Sequence, residues 1–143
     1  MILVDVNVLV YSFREAAPDH LLYRRWLQDT INSDQAFGMA EPALAGFLRI
    51  VTHPQIFDPP TKPAEALEFA ATLCGRPNCV RVRPRERHWE IFTRLCRAVS
   101  ARGNFIPDAY LAALALETGS EFITSDRGYA RFPGLRWRHP LDR

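Results

Sequence analysis

The chain lacks most of the features that mark membrane, secreted and zinc-binding proteins. No apolar run approaches the roughly 18 residues that cross a bilayer, and a strand pattern that starts at Ile2 leaves no room for a signal peptide. The three cysteines, Cys74, Cys79 and Cys96, form no Cys-x-x-Cys pair and have no histidine at ligand spacing. We therefore expect no disulfide framework, no zinc site and no membrane association, and a cytoplasmic location.

The sequence is also poor in lysine and contains no glycine-rich nucleotide-binding motif. Lys62 is the only lysine in a chain with 18 Lys and Arg residues. This arginine bias suits bidentate contact with phosphate, but genome composition produces the same bias without any function. The sequence contains no Gly-x-Gly-x-x-Gly and no Gly-Lys-Ser/Thr motif, which disfavours a Rossmann or P-loop enzyme.

Charge is distributed unevenly along the chain. The net charge is +2 at pH 7, yet the segment 76–102 is basic and the remainder is acidic. The segment has two glutamates and eight arginines, at positions 76, 81, 83, 85, 87, 94, 97 and 102. Arg87, Arg94 and Arg97 are expected on the polar face of a helix over 86–102, opposite its apolar residues. They are candidate contacts to nucleic acid, although a solvated helix face is the commoner explanation of such a run.

Length and periodicity predict one α/β domain over residues 1–143. With 143 residues, of which 48% are hydrophobic, the chain is long enough to bury a sizeable core. Apolar runs and helical periodicity alternate along it. The strands are expected over 2–4, 35–39, 78–82, 121–124 and 135–137, and the helices from about 18, 41, 63, 86 and 107. Two helices should bury one apolar face each, with Leu22, Trp26, Leu27 and Ile31 on the first and Trp89, Phe92, Leu95, Cys96 and Val99 on the second.

The stretch from Asn104 to Asp126 contains the strongest signals. Pro107 suits a first helical turn, the run 109–116 is apolar and helix-forming, and Gly119 is a natural left-handed stop. A helix that is apolar on all sides is a buried helix. The hydrophobic pattern explains neither Asp108, in its first turn, nor Asp126, just past the following strand.

Carboxylates recur at the junctions between strands and helices. Asp5 ends the first apolar run, Glu41 lies between a strand and a helix, and Asp108 and Asp126 occupy comparable places. Right-handed crossovers in a parallel sheet put such junctions on one side. Each acid alone has a simpler explanation as a helix cap, a helix-dipole charge or a turn residue. Their recurrence at four junctions favours a functional site.

Four carboxylates at one edge would repel one another. Each close pair costs about 1 kcal/mol in water and up to ~4 kcal/mol at an effective dielectric of 20. A divalent cation removes this repulsion, and oxygen ligands suit Mg²⁺ or Mn²⁺, which keep waters and can activate one of them against a phosphodiester. The pattern therefore predicts a Mg²⁺ or Mn²⁺ site.

Four motifs together resemble the PIN-domain proteins, specifically the VapC toxins of bacterial toxin–antitoxin pairs. They are Ile-Leu-Val-Asp5-Val-Asn7-Val-Leu, Glu41 ahead of Phe-Leu-Arg49-Ile-Val-Thr, Asn104-Phe-Ile-Pro-Asp108-Ala-Tyr-Leu-Ala-Ala, and Ile-Thr-Ser-Asp126 ahead of Tyr-Ala-Arg-Phe-Pro-Gly-Leu-Arg-Trp. The resemblance spans nearly the whole chain. It implies an α/β/α sandwich with a mainly parallel sheet of four to five strands, and a metal-dependent endoribonuclease acting on cellular RNA such as tRNA or rRNA. It also implies a homodimer that a VapB antitoxin inhibits.

The resemblance assigns roles to individual residues. Asp5, Glu41, Asp108 and Asp126 fall on the acidic, metal-binding positions of the family, and Asn7, Thr124 and Ser125 fall on its polar helpers. Arg49 is either a surface residue or a support for the acids, and Asn104 opens the third motif. Gly128 departs from the pattern, because many relatives have a further Asp there, so one metal or two remains open.

Three other functions are compatible with parts of the sequence. A housekeeping RNA-processing PIN nuclease is the nearest alternative. A haloacid-dehalogenase-type phosphatase would need a second Asp at Asn7 and a Lys ahead of a paired acidic motif, and Lys62 lacks that context. A non-catalytic RNA-binding module is disfavoured because four acids without metal would repel phosphate.

Overall fold

The computed structural model describes residues 1–142, which alternate between strands and helices. The strands are β1 (Ile2–Val4), β2 (Phe37–Ala40), β3 (Cys79–Val82), β4 (Glu121–Ile123) and β5 (Trp137–Arg138). The helices are α1 (Val6–Phe13), α2 (His20–Ile31), α3 (Glu41–Val51), α4 (Pro63–Cys74), α5 (His88–Val99) and α6 (Phe105–Thr118), with a 3₁₀ helix at Arg127–Arg131. The five expected strands are all present, each within two residues of its expected bounds.

The strands form a single parallel sheet in the order β3-β2-β1-β4-β5. β1 is central, and Leu3 pairs with Gly38 of β2 on one side and Phe122 of β4 on the other. Because all five strands point the same way, their carboxyl ends lie at one edge of the sheet. Asp5 directly follows β1 at that edge, and Glu41 directly follows β2.

Two apolar layers cover the sheet. Successive side chains of β1 point to opposite faces: Ile2 and Val4 pack into a core with residues from α1 to α4, whereas Leu3 packs into a core with residues from α5 and α6. The predicted α/β/α sandwich and its mainly parallel sheet are thereby confirmed. None of the helices in residues 1–142 combines the length and the apolar character needed to cross a membrane.

The helix α6 is the most deeply buried helix of its layer. Ala109 and the run 111–115 are inaccessible or nearly so, as their sequence predicted. Gly119 ends the helix with φ of 66°, a left-handed conformation that glycine adopts without strain. The first turn of α6 lies at the carboxyl edge of the sheet, so Asp108 in that turn shares a cavity with Asp5.

The predicted apolar faces of α2 and α5 each include one residue that the structure leaves exposed. Leu22 is 53% exposed and Trp89 is 70% exposed. The helices α2 and α5 instead bury His20 and His88, because each histidine ring has a backbone carbonyl partner: Tyr11 at 2.8 Å for His20 and Tyr110 at 3.0 Å for His88. The helix α5 also ends at Val99 rather than near Arg102, since Ser100 takes a left-handed φ of 52°.

Candidate active site

Asp5 is a buried carboxylate with two hydrogen-bond donors of the protein on it. It caps α1, where Oδ1 accepts the Val6 N–H at 2.7 Å, and Oδ2 accepts the Thr124 hydroxyl at 2.6 Å. Burial raises the pKa of Asp5 to about 6, the two hydrogen bonds oppose the shift, and the charges of Asp108 and Asp126 add to it. The capping role and a role in a site thus coexist in one side chain.

Asp108 lies across from Asp5, in the first turn of α6, and is held by a tyrosine. The hydroxyl of Tyr129 donates to Oδ1 of Asp108 at 3.1 Å, and the Tyr129 ring is 2% exposed between Phe122 and Phe132. Burial raises the pKa of Asp108, and the Tyr129 hydrogen bond partly offsets that rise. Burial and the three nearby aspartates raise the pKa of Tyr129, so the phenol keeps its proton and remains a donor.

Asp126 completes the group from the loop after β4. It caps the 3₁₀ helix, where its Oδ1 accepts the Gly128 N–H at 2.8 Å, and its own N–H donates to the Thr124 hydroxyl at 3.0 Å. Thr124 is fully buried, and its hydroxyl links the two residues because it donates to Asp5 and accepts from the Asp126 N–H. Ser125, expected as a further helper, does not line the cavity.

The three aspartates open into one cavity of about 630 Å³. Asn7, Arg49 and Asn104 line it too, so three of the five expected polar supports reach it directly and Thr124 lies beneath it. The rest of the lining is mostly apolar and comes largely from α3, α5 and α6, including Ala45, Ile50, Phe92, Ile106, Pro107, Tyr110 and Leu111. An acidic end therefore adjoins an apolar wall.

Glu41 is the one expected acid that the structure does not bring into this cavity. It is the first residue of α3, but its side chain is 56% exposed and turns towards β3. There its Oε1 lies 3.2 Å from Nε of Arg83 and 3.6 Å from Nη2 of Arg81. Its participation in metal binding stays a prediction.

The donor set fits a divalent cation held by few protein ligands. Among residues 1–142, no three histidine, cysteine or acidic side chains lie close enough together to hold one ion. Mg²⁺, however, is usually held by one or two carboxylates, with waters and substrate phosphates completing its six ligands. Asp5, Asp108 and Asp126 supply such oxygens at one cavity. They fit a mainly water-coordinated ion and do not fit direct ligation by all four acids.

The three arginines proposed to contact RNA lie outside the cavity lining. Arg87, Arg94 and Arg97 are exposed, and the backbone N–H of Arg87 donates to the Glu117 carboxylate at 2.9 Å. Their contact with RNA stays a prediction. Arg49, in contrast, lines the cavity.

Sequence reasoning missed two residues beside the aspartates, Tyr129 and Arg131. Tyr129 follows Asp126 by three residues, and this spacing from the fourth motif was the available signal. The guanidinium of Arg131 lies over the Phe105 ring, 3.9 Å from its centroid. Its charge lowers the pKa of Asp108, against the larger rise from burial.

The fold and site together define a class: a parallel α/β sandwich with a carboxylate cavity at the carboxyl edge of its sheet. The PIN domain family model matches residues 2–135. The chain is 47% identical over 142 residues to Ribonuclease VapC43 of Mycobacterium tuberculosis, covering 99% of this chain and 97% of the relative. It is 34% identical over 140 residues to Ribonuclease VapC25 of the same species, covering 98% and 99%. The chain therefore belongs to the PIN-domain family and, within it, to the VapC ribonucleases.

Solved structures share the fold. VapBC-1 from nontypeable Haemophilus influenzae aligns with a TM-score of 0.71 at 15% identity, covering 99% of this chain and all of the other. VapC20 of Mycobacterium tuberculosis, described as a sarcin–ricin loop cleaving toxin, aligns with a TM-score of 0.64 at 16% identity, covering 95% and 99%. At these identities the likeness establishes the fold alone.

Proposed function

We propose that this protein is a Mg²⁺- or Mn²⁺-dependent endoribonuclease and the toxin of a toxin–antitoxin pair. The observation that carries the proposal is the meeting of Asp5, Asp108 and Asp126 at one cavity, in a chain whose relatives are named ribonucleases. A charged phosphodiester would be repelled by three bare carboxylates, whereas a cation between them reverses that interaction.

The residues of the chain prepare the site for the ion and the phosphate. A bound Mg²⁺ or Mn²⁺ supplies a Lewis acid and lowers the pKa of a coordinated water. Asp5 and Asp108 offer oxygens to it directly or through water, with Asp126 beside them and Glu41 at the adjoining strand end. The Thr124 and Tyr129 hydroxyls fix the carboxylates of Asp5 and Asp108, and Asn7 shapes the rim.

The apolar wall suits a strand of RNA with unpaired bases. Phe92 and Tyr110 are an edge-to-face pair in the wall, with ring centroids 5.7 Å apart. Unstacked bases of RNA loops stack on aromatic side chains, and Arg49 in the same lining would offer its guanidinium to a phosphate. We therefore infer a single-stranded loop in a cellular RNA such as tRNA or rRNA as the substrate.

A ribonuclease that cleaves cellular RNA would harm its own cell, so we expect a partner protein that inhibits it. A VapB-type antitoxin is proposed to bind over the acidic edge and to inhibit cleavage, and the fold neighbours include VapBC complexes from Haemophilus influenzae and from Rickettsia felis. The active form is proposed to be a homodimer. Both assemblies would work in the cytoplasm, where the RNA is.

Induced expression tests this function in cells. Induction of the wild type without an antitoxin should stop growth and create new RNA 5′ ends at a few defined sites. The matched control is Asp5→Asn, which keeps the shape and the helix-capping oxygen of the side chain. Equal growth and identical 5′ ends for the two proteins, both shown to be soluble, would contradict the proposal.

A further inference from the structure

Arg131 is an exposed cation next to Asp126, just outside the residues that line the acidic cavity. It ends the 3₁₀ helix that Asp126 caps, and its guanidinium lies 3.9 Å from the centroid of the Phe105 ring, at the start of α6. Stacking on an aromatic ring holds a guanidinium in place while its edge N–H groups stay free. Phe105 and Arg131 therefore position a cation between the two segments that supply Asp108 and Asp126.

The guanidinium fills space that Gly128 leaves open. A Cβ atom at residue 128 would lie 2.6 Å from Nη2 of Arg131 and 2.8 Å from Oδ1 of Asp126. The Arg131 guanidinium and the Asp126 carboxylate thus both lie against Gly128, and a side chain at residue 128 would displace one of them. The missing side chain at 128 lets a positive charge lie beside the aspartates.

The hydrogen-bonding capacity of Arg131 is not used within residues 1–142. No carboxylate there lies within 4.0 Å of it, and it donates no hydrogen bond to another residue of this part of the chain. Arg127, on the same 3₁₀ helix, differs, because its guanidinium donates to both oxygens of Asp142 at 2.9 and 3.2 Å. A free guanidinium next to a cation-binding site matches the planar, bidentate geometry of a phosphate.

We propose that Arg131 binds a phosphate of the RNA backbone at the cavity rim, next to the phosphate that is cut. The inference rests on the proposed ribonuclease function and adds a phosphate-binding residue to it. Asp5, Asp108 and Asp126 would hold the ion in the cavity, and Arg131 would neutralise the adjoining phosphate. The strand is thereby held across the aspartates in one register.

The test is RNA binding at a fixed Mg²⁺ concentration over a series of NaCl concentrations, with the full-length protein and a fluorescein-labelled single-stranded RNA whose phosphorothioate linkages resist cleavage. Arg131→Gln should weaken binding about tenfold and lower the slope of log K against log salt by roughly 0.7, the value of one phosphate contact on single-stranded nucleic acid. Arg131→Lys should keep most of the slope, because it keeps the charge. Arg127→Gln is the matched control and should bind as the wild type does.

The outcomes separate this inference from the function on which it rests. If the wild type binds RNA and Arg131→Gln has the same slope and affinity, Arg131 only screens the aspartates and the inference is wrong. An equal loss in Arg127→Gln would also overturn it, because a general charge effect would then explain the result. If the wild type binds RNA but does not cleave it with Mg²⁺ or Mn²⁺, the ribonuclease proposal fails while the binding result for Arg131 still stands. Unfolding curves of the variants must match the wild type; a cooperative transition lost in both Arg131 variants would assign the residue a structural role and contradict the inference.

Discussion

The hydroxyl of Tyr129 donates to Asp108 Oδ1 at 3.1 Å, and within residues 1–142 it is the one hydrogen bond recorded on that carboxylate. The donor is neutral and almost wholly buried. It therefore fixes the orientation of Asp108 without neutralising its charge, and Oδ2 remains free for a cation or its water. The Thr124 hydroxyl likewise orients Asp5, although both oxygens of that carboxylate accept a hydrogen bond.

Removal of the Tyr129 hydroxyl should weaken metal binding. Partners that orient a metal ligand usually contribute 10- to 100-fold to affinity, so Tyr129→Phe should raise the Kd for Mn²⁺ by about tenfold or more while keeping the ring in the core. The measurement is a Mn²⁺ titration followed by electron paramagnetic resonance. Tyr110→Phe, also in the cavity lining, is the control and should bind Mn²⁺ normally. Equal Mn²⁺ affinities for all three proteins would show that the hydrogen bond does not support the site.

Asp5 should destabilise the metal-free protein near neutral pH. Its folded pKa of about 6 lies above the ordinary 3.8, so the protonated form is favoured by folding. The resulting stability is complete below pH 3.8 and is lost as pH rises through 6, a change on the order of 3 kcal/mol. In EDTA, Asp5→Asn should therefore be more stable than the wild type at pH 7.5, with a smaller difference at pH 4.5. Urea unfolding at both pH values measures this; a wild type that is the more stable protein at pH 7.5 would contradict it.

Cleavage should follow the deprotonation of the same group. Metal binding needs the carboxylate, so at subsaturating Mg²⁺ the rate should increase as pH rises through about 6. Saturating Mg²⁺ should shift the midpoint to lower pH, because the ion competes with the proton. A midpoint of the pH–rate profile that does not change with Mg²⁺ concentration would contradict this coupling between proton release and metal binding.

Arg87, which caps α5, and Arg94 and Arg97 on α5 form a basic surface that is a second candidate for contact with RNA. If Arg87, Arg94 and Arg97 contact phosphates, replacing all three with Gln should lower the salt slope of RNA binding by about 0.7 for each contact. These residues are outside the cavity lining, so cleavage at saturating RNA should change little. An unchanged salt slope would assign all three to a solvated surface.

The sequence predicted the sheet and the position of the acids because both depend on local patterns. Apolar runs fix the strands, parallel strands place their ends together, and Asp5, Asp108 and Asp126 follow from that topology. Side-chain direction does not follow in the same way. Glu41 starts α3 as expected, yet its carboxylate lies beside Arg81 of β3 and Arg83, the residue just after β3, and turns away from the cavity.

The sequence did not predict the roles of residues whose contacts in the fold are distant in the sequence. Tyr129 was assigned no role from the sequence, because the carboxylate that its hydroxyl contacts is 21 positions earlier. The exposure of Trp89 was missed because His88 takes the buried position, and only the tertiary contact with the Tyr110 carbonyl makes that burial possible. The room that Gly128 gives to Arg131 is likewise a property of the folded loop.

The most direct test of the account is the initial rate of RNA cleavage by the purified protein against Mn²⁺ or Mg²⁺ concentration, for the wild type and Asp108→Asn. The wild type should be inactive in EDTA and should recover when either ion is restored. Asp108→Asn should fold normally and cleave at least about 100-fold more slowly at every metal concentration, because a charged oxygen ligand is gone. Cleavage that survives saturating EDTA, or an Asp108→Asn variant with the wild-type rate, would contradict the central claim that these aspartates hold a catalytic metal ion.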